Sequence, residues 1–226
     1  MYILFLILNV LIFFLLKRND YILWRNYLST FPIERFRDIC GVVPLKVGDF
    51  NVNGLPDLYS AIEKPIYLRD WFDPGNDLAH GNRQSRMVFG KDSTNKIALF
   101  IKDWVQTLNL PSKFKNRYDE EDYNCEFTLR ISRGKWDYPV HFDATDNFTF
   151  ILHGNRNVEL NGTFLELKPR DLLNFNAGVD HHFWCDNEFN LVLNVCFPTK
   201  DQKIINRFSE VYPERMSELN LGKDNI

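Results

Sequence analysis

Apolar residues follow two different periods along this chain. Ile97, Phe100, Ile101, Trp104, Val105 and Leu108 recur at helical spacing, with Ser93 or Asn95 available as a cap and Pro111 as a stop. The pattern predicts an amphipathic helix. From Cys125 onward the period shortens to two: Phe127, Leu129 and Ile131 alternate with polar residues. Short apolar runs follow at 148–152, 157–160, 163–167, 172–175, 182–185 and 191–197, divided by Gly154, Asn161-Gly162, Pro169 and Gly178. Asn-Gly between two apolar runs predicts a tight hairpin. Many short strands at this spacing predict an antiparallel sandwich or barrel, not a parallel sheet.

The other segments are less regular. Residues 21–36 mix aromatic and basic side chains and are expected to form a short helix or lead-in. Residues 40–58 alternate but are broken by Pro44, Gly48, Gly54 and Pro56, which predicts short strands and turns. Asp73-Pro74-Gly75-Asn76 reads as a turn, and the polar stretch from there through Gln84 as loop. The charged segment 111–124 is also expected as loop, and 200–221 as a polar helical tail interrupted near Pro213. Four parts result: an anchor and lead-in (1–24), supporting helices and strands (25–124), a barrel core (125–199) and a helical tail (200–226).

The first sixteen residues carry no charge, and only Asn9 is clearly polar before Lys17-Arg18 closes the run. As a helix, such a run reaches about 24 Å, short of a hydrocarbon core of about 30 Å, so spanning needs local thinning or extension through 21–24. A signal peptide would show a basic start and a small-x-small cleavage site, and neither is present. An uncleaved, single-pass anchor is the expectation. Lys17, Arg18 and Arg25 on its C-terminal side place the following domain on the cytoplasmic face.

Composition narrows the class further. With 45% hydrophobic residues and twenty Phe, the chain has the means to bury a core, which excludes disorder. A net charge of −3 gives no electrostatic case for nucleic acid. Cys40, Cys125, Cys185 and Cys196 show no Cys-x-x-Cys spacing, so a zinc knuckle is not expected and a reducing compartment fits.

The candidate chemistry lies in the second half. His141-Phe142-Asp143 can present an imidazole and a carboxylate to one side of a strand. His181 follows forty residues later, at the place of an antiparallel partner strand. Two imidazoles and a carboxylate can hold one face of iron(II) and leave the other open. A His-x-Asp triplet alone arises often by chance. The ordered set is more specific: Tyr138-Pro139-Val140-His141-Phe142-Asp143, Asn147-Phe148, Gly154-Asn155-Arg156, then Pro169-Arg170-Asp171-Leu172-Leu173 leading to His181-His182.

That order, over roughly 138–197, resembles the JmjC/cupin-like family of iron(II)- and 2-oxoglutarate-dependent oxygenases, and within it the small protein-hydroxylase branch. The resemblance implies a mainly β fold with flanking helices, a double-stranded β-helix of the jelly-roll or cupin type. It implies that His141, Asp143 and His181 bind iron. It implies that Arg156 replaces the lysine that binds the distal carboxylate of 2-oxoglutarate, with Asn147 nearby. Tyr138 and Thr128 are candidates for further hydroxyl contacts to that carboxylate. Branches that take their basic residue from just after the distal His fit poorly, because no Arg or Lys lies between His182 and Phe197. The chain departs from the family at three places. Arg170 replaces a turn Gly, Asp180 an aromatic before the distal His, and Cys196 an Asn on the last strand, with Asn194 two residues away as a substitute. The expected substrate is a protein side chain. Two alternatives stand beside this reading: a degenerate cupin-like scaffold without catalysis, and a metal-dependent cupin enzyme that does not use 2-oxoglutarate.

Overall fold

The computed structural model describes residues 20–40, 68–69, 84–91, 96–120, 125–132, 136–186 and 190–213. Residues 1–19, which hold the expected anchor, lie outside the described residues, as do 41–58 and the turn at 73–76. Among the described residues no helix is long and apolar enough to cross a membrane.

Eleven strands among these residues form two antiparallel sheets. They are β1 (Tyr21–Trp24), β2 (Leu68–Arg69), β3 (Gln84–Gly90), β4 (Glu126–Ser132), β5 (Trp136–His141), β6 (Thr145–His153), β7 (Arg156–Leu160), β8 (Thr163–Leu167), β9 (Leu172–Phe175), β10 (His181–Cys185) and β11 (Asn190–Pro198). The larger sheet has the order β1-β9-β6-β11-β4-β3-β2 and the smaller β5-β10-β7-β8. Four helices accompany them: α1 (Ile33–Cys40), α2 (Lys96–Gln106), α3 (Ser112–Asp119) and α4 (Gln202–Val211). The fold is mainly β with few helices, as the alternation from Cys125 onward predicts.

Alternation sorts each central strand between two cores. On β6, Phe148, Phe150 and Leu152 join the cluster that contains Phe36, Ile97, Ile101, Trp104 and Phe114 of α1–α3. Ile151, on the opposite side of β6, belongs to the second cluster with Val158, Leu160, Leu173, Phe175, Phe183 and Val192. Helices therefore cover the outer face of the larger sheet, and the second cluster lies between the sheets. Phe114 is the keystone of the outer layer, with ring centroids 5.1, 5.8 and 5.5 Å from Phe148, Phe150 and Phe197.

Three expectations are corrected. Residues 21–24 do not continue a helix; they form β1, which pairs antiparallel with β9 from Tyr21↔Phe175 to Trp24↔Leu172. Tyr21 and Leu23 pack on the inner cluster while Trp24 packs on the outer one, and an edge strand satisfies both. Residues 111–124 are not all loop: Pro111 starts α3, accepting from the amides of Phe114 and Lys115. This polar helix is stabilised by burying Phe114. Gln84, expected as the end of a loop, opens β3, while residues 77–83 of that stretch lie outside the described residues. At the other end, α4 stops at Val211, ahead of Pro213, as the break at that proline predicts.

Candidate metal centre

The register of the smaller sheet sets His141, the last residue of β5, opposite His181, the first of β10. Asp143 lies just beyond β5, not on it, so strand alternation is not what aligns it with His141. Its placement comes from the turn, where the Gly178 amide donates to the Asp143 carbonyl at 2.8 Å. One ligand atom from each of His141, Asp143 and His181 lies within 4.8 Å of the others. His181 Nε2 is 3.5 Å from one Asp143 oxygen, and His141 Nε2 is 4.0 Å from the other.

Both rings are held from behind. His141 Nδ1 lies 2.9 Å from the Pro139 carbonyl, and His181 Nδ1 lies 2.9 Å from the Val179 carbonyl. A carbonyl only accepts, so each Nδ1 carries a proton, and each Nε2 is the ring nitrogen on the side of Asp143. Burial, then the neighbouring His181, lower the His141 pKa from 6.5 to about 3, against an opposing pull from Asp143. This imidazole is neutral at ordinary pH, the form that binds a metal. Two imidazoles and a carboxylate suit a divalent transition metal that keeps open positions.

A polar band runs from this cluster into the barrel. Asn147 Nδ2 donates to the Thr145 carbonyl at 3.1 Å and reaches Asp143 at 3.4 Å, while its Oδ1 accepts the Cys196 thiol at 2.9 Å. Cys196 thus braces Asn147 behind the carboxylate. Asn194 of β11 stands between Thr128 of β4 and Thr149 of β6 in register. Asn194 Oδ1 and Thr149 Oγ1 are buried with no hydrogen-bond partner among the described residues. Tyr138 sets its ring edge-on to His141, centroids 4.6 Å apart.

Arg156 opens β7 and is only 2% exposed. Its guanidinium lies 4.7 Å from the centroid of Phe183, whose ring is 5.5 Å from that of His181. Burial, then Arg130, pull its pKa from 12.5 to about 9, and Cys185 opposes them. Arg130 is a residue that the sequence reasoning missed. It lies two positions after Thr128 on β4, and its charge is felt at both His141 and Arg156. The alternation of β4 carries that signal, since Thr128 and Arg130 share a face.

The remaining sequence features have structural roles. His182 faces away from the cluster, 2.5 Å from Asp137 and stacked on Trp184. Asp180 orients neither histidine; it pairs with Arg207 at 3.2 Å. Arg170 has φ +78, which explains the glycine expected there, and its Nε donates to the Leu28 carbonyl at 2.9 Å.

No family model matches the chain, and no curated protein matches it in sequence. Solved structures with a similar barrel include KdgF from Halomonas sp., at 19% identity over 35% of this chain and 73% of that one, TM-score 0.32. A cupin superfamily protein from Desulfitobacterium hafniense matches at 18% over 35% and 72%, TM-score 0.32. A conserved protein of unknown function from Streptococcus pyogenes matches at 17% over 33% and 66%, TM-score 0.31. A likeness of this extent carries no argument about this chain, so function rests on the residues themselves.

Proposed function

We propose that this protein is an iron(II)- and 2-oxoglutarate-dependent oxygenase that hydroxylates a protein side chain, tethered to a membrane through its N-terminal apolar run with the barrel in the cytoplasm. The observation that carries the reading is the convergence of His141, Asp143 and His181 within 4.8 Å, both histidines held in the metal-binding tautomer. The same spacing that relates Asp143 to Arg156 in the sequence puts a buried guanidinium inside the same barrel.

When bound, iron(II) and 2-oxoglutarate supply the dioxygen activation that hydroxylation requires. The chain supplies the frame. His141, Asp143 and His181 would hold the metal, and Asn147, braced by Cys196, steadies the Asp143 carboxylate. Arg156 binds the distal carboxylate of the cosubstrate, since a guanidinium offers a carboxylate two parallel hydrogen bonds. The unfilled Thr149 hydroxyl and Asn194 amide oxygen fit a polar ligand in that band, with the Thr149 hydroxyl free to donate. Phe175 and Phe183, packed beside His181 at 4.7 and 5.5 Å, keep water from the inner side of the site.

The test uses the full chain in mild detergent with iron(II), oxygen and 2-oxoglutarate. Succinate should form, and His141→Ala should abolish it. Calorimetry showing binding of neither a divalent metal nor 2-oxoglutarate would overturn the reading. Metal binding without 2-oxoglutarate binding would favour a cupin enzyme of another chemistry.

A further inference from the structure

The C-terminal helix α4 closes over both segments that carry the three candidate ligands. Phe142, between His141 and Asp143, joins Ala144 and Phe208 in a small buried cluster, with Ile204 and Tyr212 against it. On the other segment, Gly178 packs so close to α4 that a Cβ there would meet Ile204 at 3.4 Å.

Arg207 of α4 reaches both segments at once. Its guanidinium lies 3.9 Å from the centroid of Phe142. The same group donates to the Gly178 carbonyl at 3.3 Å and pairs with Asp180 at 3.2 Å. Phe142 separates two candidate ligands, and Gly178 and Asp180 precede the third by three positions and by one. The segments are also joined directly, from the Gly178 amide to the Asp143 carbonyl at 2.8 Å.

We propose that Arg207 is a positioning residue of the metal centre, fixing the separation between segment 141–143 and segment 178–181. The inference rests on the metal-binding reading above. Arg207 and Asp180 are each half exposed, so their pair contributes little to overall stability. Its effect is geometric. Metal affinity depends on ligand separations to a few tenths of an ångström, whereas the fold tolerates larger shifts. A planar guanidinium suits the task because it stacks on a ring and donates in two directions together.

The experiment is Co(II) titration of the full chain, followed by the visible ligand-field bands, alongside thermal unfolding. Arg207→Ala should weaken Co(II) binding on the order of 10-fold and shift the bands, as loss of an outer support does in other metal sites. Arg207→Lys should recover part of the affinity, since it keeps the charge but not the plane. Asp201→Ala removes the side chain that accepts from the Lys203 amide at the start of α4, so it should lower the melting temperature and leave Co(II) affinity within about twofold. If Arg207→Ala does not fold, Asp180→Asn serves, with a few-fold loss of affinity expected. Wild-type affinity in Arg207→Ala, or in Asp180→Asn where that replaces it, overturns the inference. So does an equal loss in Asp201→Ala, which would mean only that a loosened helix loosens the site. A wild-type chain that binds no Co(II) overturns the metal-binding reading itself, a different result.

Discussion

Replacing Arg156 by Met should make the protein more stable and unable to bind 2-oxoglutarate. The guanidinium is 2% exposed, and its pKa falls from 12.5 to about 9. Burial, more than the neighbouring Arg130, makes that charge costly for the folded state to hold. Contact with Phe183 at 4.7 Å offsets part of that cost, by about 2 kcal/mol at most, and is lost with the charge. Met keeps much of the packing volume and none of the charge. A net gain of about 1–4 kcal/mol is expected, the range seen when buried charges are replaced by apolar side chains.

The pH dependence has a definite sign. The folded pKa lies below the unfolded one, so the favourable contribution from deprotonation is complete only above about 12.5 and is lost as pH falls through about 9. At pH 7 the full cost is present. The advantage of Arg156→Met should therefore be largest at neutral pH and shrink above about pH 9. Urea unfolding at pH 7, with and without 2-oxoglutarate, measures both halves. At a hundredfold excess over Kd the ligand should stabilise the wild type by about 2.7 kcal/mol and the variant not at all. A ligand-free Arg156→Met protein destabilised by more than about 2 kcal/mol would refute the reasoning, because Arg156 would then be a strut of the barrel.

Three further outcomes are expected. His141 has a folded pKa of about 3 against 6.5 in the unfolded chain, so its contribution to stability is complete above pH 6.5 and lost as pH falls toward 3. Urea melts at pH 7, 5 and 4 should show a slope of at most about 1.4 kcal/mol per pH unit from this group, which His141→Gln removes. Asp171, 1% exposed, accepts from Arg25 at 2.5 Å and from the amides of Asn26 and Lys168 at 3.0 Å. Asp171→Ala should cost about 3 kcal/mol and open the segment before α1 to limited proteolysis, read by mass spectrometry. Phe114→Ala empties the outer core and should cost about 3–5 kcal/mol in urea unfolding while Co(II) affinity stays within a few-fold.

The sequence was most legible where the chain settles its own structure. β8 and β9 are found at 163–167 and 172–175 because Asn161 and Gly162, at φ 46 and 77, turn the chain in front of one and Pro169 separates it from the other. β1 was not legible. Tyr21–Trp24 are a short, mostly apolar stretch after the polar residues 17–20, and what makes them a strand is pairing with β9 about 150 residues later. Nor was α3, whose only buried residue is Phe114 and whose helicity depends on the sheet beneath it.

The site divides along the same line. The ordered motifs and the family they resemble named His141, Asp143 and His181, while strand alternation gave the wrong reason for Asp143, which a turn and not a strand brings to its neighbours. Arg130 acts across the sheets, on residues 11 and 26 positions away; the alternation of β4 gives its face but not those partners. Arg207 reaches back from the C-terminal helix to segments some thirty and sixty-five positions earlier. A short motif therefore identifies the donors, while long-range contacts set their distances. A chain can keep His-x-Asp and His intact and still lose metal affinity through one residue of α4, which is why intact donors alone do not establish a working centre.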